Sequence, residues 1–520
     1  MTDDVTDPPL IARSVGVGAP APVWGKVIDQ TTCIGCHACT TACKSENDVP
    51  LSVTRTFVKN VDVGYFPQAR RAFQVTRCNQ CTDAPCVAAC PTSAMYVRPD
   101  GIVDFDKSSC IGCKACMAAC PYDAIFINPE DHSAEKCNFC AHRLDLGLEP
   151  ACVVVCPTQS IMVGDLNDPD SEVSRIVNRE PVTVRRPEKD TRPKVFYRGA
   201  TEFTLNPLAA GRPAGDTFAW AEQPSGGQVV SGPVAPQNSS AAAVISYDIA
   251  HRAPWDWRVS LYTWTKGIAA GAYLVPLLLV LTGWLDPADA MWVWAAPVVA
   301  AAFLAITAAL LVSDLEHPKR FYFILTRPQW RSWLVRGGVI LSGFAASLGV
   351  HLLGSMFGIS ALRTAAAVVG LPLALLAAVY TAYLFAQARA RDLWQSPLLP
   401  PHLAVQAVLA GAGTMVLIAA WRGDSGVVSA LGWLLGGATL AHLLFVLGEV
   451  TLPHVTAHAR LATHEMVAGR FRTAFWIGVA LVAVGLLAPW FGGWVALPAV
   501  VGLALHEHAY VQAGQSVPLA

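Results

Sequence analysis

Charge is scarce in this chain. Only 14% of its 520 residues are Asp, Glu, Lys or Arg, and 53% are hydrophobic. An ordinary soluble domain carries roughly 25% charged residues. The formal net charge is −1. No basic surplus exists to meet a phosphate backbone, so nucleic acid is not expected as a partner. No Walker A sequence and no Rossmann glycine fingerprint occurs in a supporting context, so no nucleotide site is expected. Residues 1–24 lack the basic start and apolar core of a secretory signal. The pairs Arg70-Arg71 and Arg185-Arg186 lie too far in to serve export, so no export address is expected on the chain itself. Cysteine is missing from residues 1–32 and from everything after Cys156.

All sixteen cysteines therefore lie between Cys33 and Cys156. They form four quartets. The first is Cys33, Cys36, Cys39 and Cys43; the second is Cys78, Cys81, Cys86 and Cys90, followed by Pro91. The third is Cys110, Cys113, Cys116 and Cys120, followed by Pro121; the fourth is Cys137, Cys140, Cys152 and Cys156, followed by Pro157. The first and third carry Cys-x2-Cys-x2-Cys-x3-Cys, the bacterial ferredoxin spacing for 4Fe–4S clusters. Three thiolates come from one tight loop, and Gly35 and Gly112 stand where that loop must bend. The fourth cysteine of such a run ligates a neighbouring cluster. Zinc sites use paired knuckles and give no reason for this spacing. Disulfides need an oxidising compartment. Sixteen thiolates at four per cluster predict four 4Fe–4S clusters. No quartet position is replaced, so no 3Fe–4S centre is expected.

With these quartets in place, residues 28–200 resemble the four-cluster ferredoxin subunit of the dimethyl sulfoxide reductase and polysulfide reductase group. The resemblance extends to the tail around Pro187–Gly199. It implies a pairing of the quartets. Cys33, Cys36, Cys39 and Cys156 would hold one cluster, and Cys137, Cys140, Cys152 and Cys43 its neighbour. Cys78, Cys81, Cys86 and Cys120 would hold a third, and Cys110, Cys113, Cys116 and Cys90 the fourth. It also implies an order, with clusters of the first and fourth quartets toward a catalytic partner and those of the second and third toward the membrane.

Residues 257–512 are a different material, dominated by Ala, Leu, Val, Gly and Trp. Uncharged runs occur at 267–285, 291–313, 337–362, 364–388, 403–421 and 426–448. Each suits the roughly 20 residues that cross hydrocarbon as a helix. The run 473–505 is too long for one crossing, and Pro489 to Gly493 make a natural break. Eight spans are expected, with seven as the alternative. Loops after the second, fourth and sixth runs carry Lys319, Arg320, Arg327, Arg331, Arg336, Arg389, Arg391, Arg460, Arg470 and Arg472; the opposite loops carry only Arg363 and Arg422. That asymmetry places the first set, and the N-terminal domain, in the cytoplasm.

Asp314 to Phe321, then Arg327-Pro328 and Trp333 to Gly338, resemble the signature of the polysulfide-reductase membrane subunit, the NrfD-like family. Trp255 to Gly271 looks like its first helix. The resemblance covers residues 248–512, and it joins in one chain two modules that the family usually keeps separate. The expected architecture is an α+β tandem ferredoxin-like domain followed by an all-α transmembrane bundle. Its parts are a flexible arm (1–24), the ferredoxin-like domain (25–200), a linker (201–250) and the transmembrane domain (251–515).

Ionisable groups in or beside spans are costly and are candidates for function. Tyr262 and Lys266 begin the first span; Asp314, Glu316 and His317 end the second; Arg336 begins the third; Glu449 and His454 end the sixth. Tyr262 and Lys266 stand at i and i+4, on one helical face. Asp314 and His317 share a face if the second helix continues that far. The expected pocket lies between the first two spans. There Lys266 or His317 would bond a quinone carbonyl, Tyr262 would orient the ring, and Asp314 or Glu316 would relay protons. The ordinary reading is that Lys and Arg near helix ends snorkel to the interface, with Asp314 and Lys319 a structural pair. Haem is not expected. Two bis-His haems need four histidines at matched depth, and deep in the runs only His351 and His442 qualify.

The reading is an electron wire joined to a quinone site in a bacterial cytoplasmic membrane. The quinone would be menaquinone or ubiquinone. By resemblance the partner is a molybdenum or tungsten bis-pterin subunit holding the substrate, since no residue here looks able to transform one. The alternative is a self-contained ferredoxin–quinone conduit or redox-driven ion-translocating module. A purely structural anchor would not need four complete quartets.

Overall fold

The computed structural model describes residues 21–211 and 242–520. The arm expected at 1–24 falls outside the described residues except for its last four positions, and so does 212–241 of the expected linker. The described chain forms two compact units. One ends at Arg252 and takes in Pro518–Ala520; the other is Ala253–Val517.

The first unit is built on short strands that leave cysteine loops. After Cys90, Cys120 and Cys156 the chain repeats one turn: Pro, then two residues, then Ala or Ser, then an apolar residue. The residue three past each cysteine is left-handed, at Ser93 (φ 56), Asp123 (φ 49) and Gln159 (φ 51). This reversal aims the backbone back over the sulfur, and a strand begins two residues on. In chain order the strands are β1 (Trp24–Asp29), β2 (Thr56–Val63), β3 (Arg70–Arg77), β4 (Met95–Val97), β5 (Val103–Phe105) and β6 (Ile125–Ile127). Then follow β7 (Ala134–Lys136), β8 (Ile161–Asp165), β9 (Val182–Thr183), β10 (Val195–Arg198) and β11 (Ala243–Tyr247).

β4–β5 and β6–β7 are antiparallel hairpins, with Met95 opposite Phe105 and Ile125 opposite Lys136. A four-stranded sheet has the order β8-β1-β10-β9, with β1 and β10 parallel. A second sheet has the order β11-β2-β3. β11 falls in the expected linker. Its sequence Ala-Val-Ile-Ser-Tyr suits a strand, and the free edge of β2 offers it backbone partners from Ala243↔Val63 onward. The apolar cores of this unit contain the cysteines. Ile28, Val58, Val75, Phe139 and Tyr197 pack with Cys39, Cys78, Cys137 and Cys152; Met95, Val103, Met117 and Tyr122 pack with cysteines of the second and third quartets.

In the second unit seven helical stretches are long and apolar enough to cross a membrane: Trp257–Leu281, Met291–Ser313, Trp333–Met356, Ser360–Gln387, Leu399–Arg422, Ser425–Thr451 and Arg472–Ser516. The last has 45 residues, about 68 Å if straight, over twice the hydrocarbon thickness. It does not run straight. Gly492 turns left-handed at φ 68, within the expected break. Gly478 then faces Gly502 and His506, and Gly485 faces Ala499, so the two halves pack antiparallel. The stretch thus folds back as two antiparallel arms, which take the places of the expected seventh and eighth spans, while seven stretches qualify by length and apolarity among the described residues.

The first span lies at the centre, with 72% of its most apolar window buried against 28% for the second. A Cβ on its Gly271 would meet the Ala407 carbonyl oxygen at 1.8 Å, so the first and fifth spans touch backbone to backbone. The first helix starts at Trp257, within the stretch Trp255 to Gly271 that resembled the family's first helix and ten residues before the uncharged run, capped by Asp256 Oδ1 accepting from the Arg258 N–H at 2.8 Å. Lys266 is therefore nine residues inside the helix, roughly 14 Å along it. The second helix stops at Ser313; Pro318 then opens a 3-10 turn after His317, and Asp314 and His317 share no helical face.

Candidate functional site

Each Cys-x-x-Cys begins with a bend. Its third residue is left-handed in all four quartets: Gly35 (φ 67), Gln80 (φ 48), Gly112 (φ 69) and Phe139 (φ 58). At Gly35 an added Cβ would also strike the Phe73 ring at 2.3 Å. These loops gather the thiols in four groups. Cys33 lies in electrostatic reach of Cys36 and Cys156, and Cys39 of Cys33 and Cys156. Cys43 faces Cys137, Cys152 and Cys140. Cys86 faces Cys78, Cys120 and Cys81, while Cys116 faces Cys113, Cys110 and Cys90.

The groups also lie within electrostatic reach of one another in series. Cys39 is in reach of Cys152, Cys78 of Cys137, and Cys116 of Cys86. The series thus runs from the Cys33 group, through the Cys43 and Cys86 groups, to the Cys116 group. Cys36 is exposed and Cys33 and Cys156 are half-buried; the other thirteen thiols are buried.

The donor chemistry fits a metal–sulfur core. Burial pushes the Cys39 thiol up to about 11 and the Cys43, Cys81 and Cys120 thiols up to about 12. Such thiols do not ionise at neutral pH unless a positive core stabilises them. Backbone N–H groups already aim at sulfur: Met95 on Cys90 at 3.4 Å, Ser160 on Cys156 at 3.3 Å, and both Gly112 and Ala134 on Cys110 at 3.4 Å. Cys152 has charged donors. Burial alone would raise it, but Arg77 (3.1 Å) and Lys26 (3.6 Å) outweigh that and hold it down at about 7. Arg77 is buried, and its Nε and Nη2 find no hydrogen bond among the described residues. Nothing in the cysteine spacing signals Arg77 or Lys26, which arrive from β3 and β1.

In the membrane unit, Tyr262 and Lys266 are brought together, but toward the fourth and eighth spans rather than the second. Lys266 Nζ donates to the Ala378 carbonyl at 2.7 Å and lies 5.0 Å from the centre of the Tyr380 ring. Its carboxylate neighbour is Glu507, which accepts from Thr263 Oγ1 at 2.6 Å. Tyr262 sits beside Thr381, and neither hydroxyl makes a well-formed hydrogen bond among the described residues. Asp314 acts on Tyr262 from the end of the second span. Arg336 is exposed and donates to the Trp330 carbonyl at 2.8 Å. Glu316 and His317 are half-buried in the turn after the second span. His454 pairs with Thr463 at 2.8 Å, and Glu449 neighbours Tyr510. Glu507, Tyr380 and Thr381 were not among the expected residues. Glu507 had one signal, a carboxylate two residues beyond the apolar run 473–505.

Besides His351 and His442, His402 and His506 are also buried in the membrane unit among the described residues. His351 pairs with the Tyr273 hydroxyl at 3.1 Å and His442 with His402 at 2.9 Å.

The profile of the family described as "Polysulphide reductase, NrfD" matches residues 247–511, just over half of the chain. This sequence belongs to that family. A second profile, "4Fe-4S dicluster domain", matches residues 69–166. Three relatives align with the iron–sulfur half of this NrfD-family protein. The B subunit of tetrathionate reductase from Salmonella typhimurium is 41% identical over 199 residues, 37% of this chain and 78% of the relative. The B polypeptide of polysulfide reductase from Wolinella succinogenes is 42% identical over 176 residues, 33% of this chain and 92% of the relative. A putative dimethyl sulfoxide reductase iron-sulfur subunit of Halobacterium salinarum is 41% identical over 204 residues, 34% of this chain and 78% of the relative. The chain is a multi-pass membrane protein in which an iron–sulfur electron-transfer subunit, with sixteen cysteines for 4Fe–4S clusters, is fused to an NrfD-type membrane subunit of the respiratory-reductase kind.

Proposed function

We propose that this chain exchanges electrons between a separate catalytic subunit and a membrane quinone, through four 4Fe–4S clusters held by the four thiol groups described above. The names of the relatives, subunits of tetrathionate, polysulfide and dimethyl sulfoxide reductases, support a catalytic partner on another chain. We assign that partner to the molybdenum or tungsten bis-pterin class. The Cys33 group, with exposed Cys36, is the natural end for it.

The observation that carries the quinone reading is the buried cluster of Tyr262, Lys266, Thr381 and Glu507. A lysine in the interior of a membrane helix is expensive. Here it holds a position where its Nζ would donate to a quinone carbonyl. Tyr262 and Thr381 would offer hydroxyls that have no other firm partner. Quinone reduction takes up two electrons and two protons. Glu507, held by Thr263, would give or take a proton at that carbonyl, and Asp314 would connect the cluster to the end of the second span.

The test is Lys266→Ala and Glu507→Gln in the intact membrane complex. Quinone-coupled turnover should fall by about 100-fold or more, while a soluble dye still exchanges electrons with the clusters. If both variants keep full quinone activity, the reading of this site is wrong.

A further inference from the structure

Three membrane spans each place a histidine at one buried point, away from the quinone cluster's own contacts. His402 comes from the first turn of the fifth span, His442 from the sixth, and His506 from the eighth. All three are almost fully buried. Their ring centroids are 4.9, 4.8 and 5.9 Å apart. One nitrogen from each ring lies within 4.8 Å of the others.

The polar atoms here do not satisfy one another. His402 Nε2 and His442 Nδ1 form one hydrogen bond at 2.9 Å, and the Gln406 amide Nε2 approaches His402 Nε2 at 3.3 Å. His442 Nε2, both nitrogens of His506 and Gln406 Oε1 are buried without a hydrogen bond among the described residues. Buried polar groups are almost always paired, and an unpaired one loses its hydration without return. Four of them converging from three helices do not describe an ordinary packed histidine.

We propose that His402, His442 and His506 bind a zinc-class divalent metal ion. Gln406 Oε1 or a water would be the fourth ligand. Neutral imidazole nitrogen suits such ions, and three histidines plus one oxygen make a tetrahedral zinc shell. The set has no thiolate and no carboxylate. Glu507 follows His506 in sequence, but its Oε2 accepts from Thr263. An oxygen-seeking ion such as calcium or magnesium is thereby disfavoured. Tetrahedral zinc–nitrogen bonds of about 2.1 Å place ligand nitrogens roughly 3.4 Å apart, so nitrogens now up to 4.8 Å apart need to close by up to about 1.4 Å, within reach of side-chain rotation. The ion would tie the fifth, sixth and eighth spans together. The inference is independent of the quinone reading.

The full-length protein, purified in detergent without chelator, is assayed for zinc, copper, nickel, cobalt and manganese alongside iron. The expected result is about one zinc-class ion per chain in addition to cluster iron. X-ray absorption at its edge should show nitrogen and oxygen neighbours only. His506→Gln and His402→Ala should each lower that content at least about tenfold, with iron content and monodispersity unchanged. The wild-type measurement stands alone if a variant does not fold. Wild-type protein that takes up no such ion after equilibration with zinc overturns the proposal. So does an ion retained in both variants, or a sulfur shell, which would place zinc in the cysteine quartets.

Discussion

Arg77 sets a buried positive charge among the thiols of the first unit. Its guanidinium is buried beside Cys152, and Lys26 approaches the same sulfur from β1. A fixed positive charge favours the reduced, more negative state of a neighbouring cluster. Arg77→Met keeps the bulk and removes the charge. The reduction potential of the cluster bound by Cys152 should become more negative by on the order of 100 mV, from the few kcal/mol of a unit charge pair at this range. Redox titration followed by electron paramagnetic resonance measures it; an unchanged potential with intact clusters would remove Arg77 from this role. The bends at Gly35 and Gly112 were legible in the sequence, because glycine advertises a left-handed backbone. The same bends at Gln80 and Phe139 were not, since the loop imposes them on residues that do not prefer them.

Among the elements, the segment just before the first span is held by a histidine clasp. His251 Nδ1 meets Asp123 at 2.6 Å and Nε2 meets Asp248 at 3.2 Å, with all three side chains buried. Burial alone would lower the imidazole, but the two carboxylates outweigh it and raise it to about 9 from 6.5. The charged form therefore stabilises the folded state. That stability is fully present below pH 6.5, falls as pH rises and is lost as pH passes through about 9. The amount is on the order of 3 kcal/mol, at 1.4 kcal/mol per pKa unit. Hydrogen exchange of residues 248–252 should accelerate between pH 6.5 and 9.5 beyond its intrinsic rise. His251→Gln should remove that extra dependence; a wild-type segment that stays equally protected across the range would count against the clasp. Helix ends show what periodic and apolar patterns miss. An uncharged run opens only at Gly267, because Lys266 carries a charge. The helix runs through it, since Ala378 and Glu507 satisfy the ammonium from other spans.

For the whole molecule, four complete thiol groups predict about sixteen iron atoms and sixteen acid-labile sulfides per chain. Chemical analysis nearer eight irons in a fully reconstituted sample would show that two groups are not cubane sites. The loop charges predict that residues 21–211 are cytoplasmic. Arginine and lysine stand ten against two on that side. In intact spheroplasts, a membrane-impermeant protease or thiol reagent should leave this half untouched. Cleavage or labelling from outside would reverse the orientation.

The cysteine spacing by itself determined the cofactor class, and long apolar runs by themselves determined the membrane half, because both are local properties. A cubane loop needs ligands a few residues apart, and a span needs about 20 consecutive apolar residues. What depended on contacts between distant segments was decided only by the fold. Arg77 and Lys26 reach Cys152 across more than seventy residues of chain. Glu507 meets Thr263, and His402 meets His442, only because separate helices pack there. A charge or histidine isolated in an apolar run carries no mark of its partner. Its chemistry is set by whichever side chains the helix packing brings to the same depth.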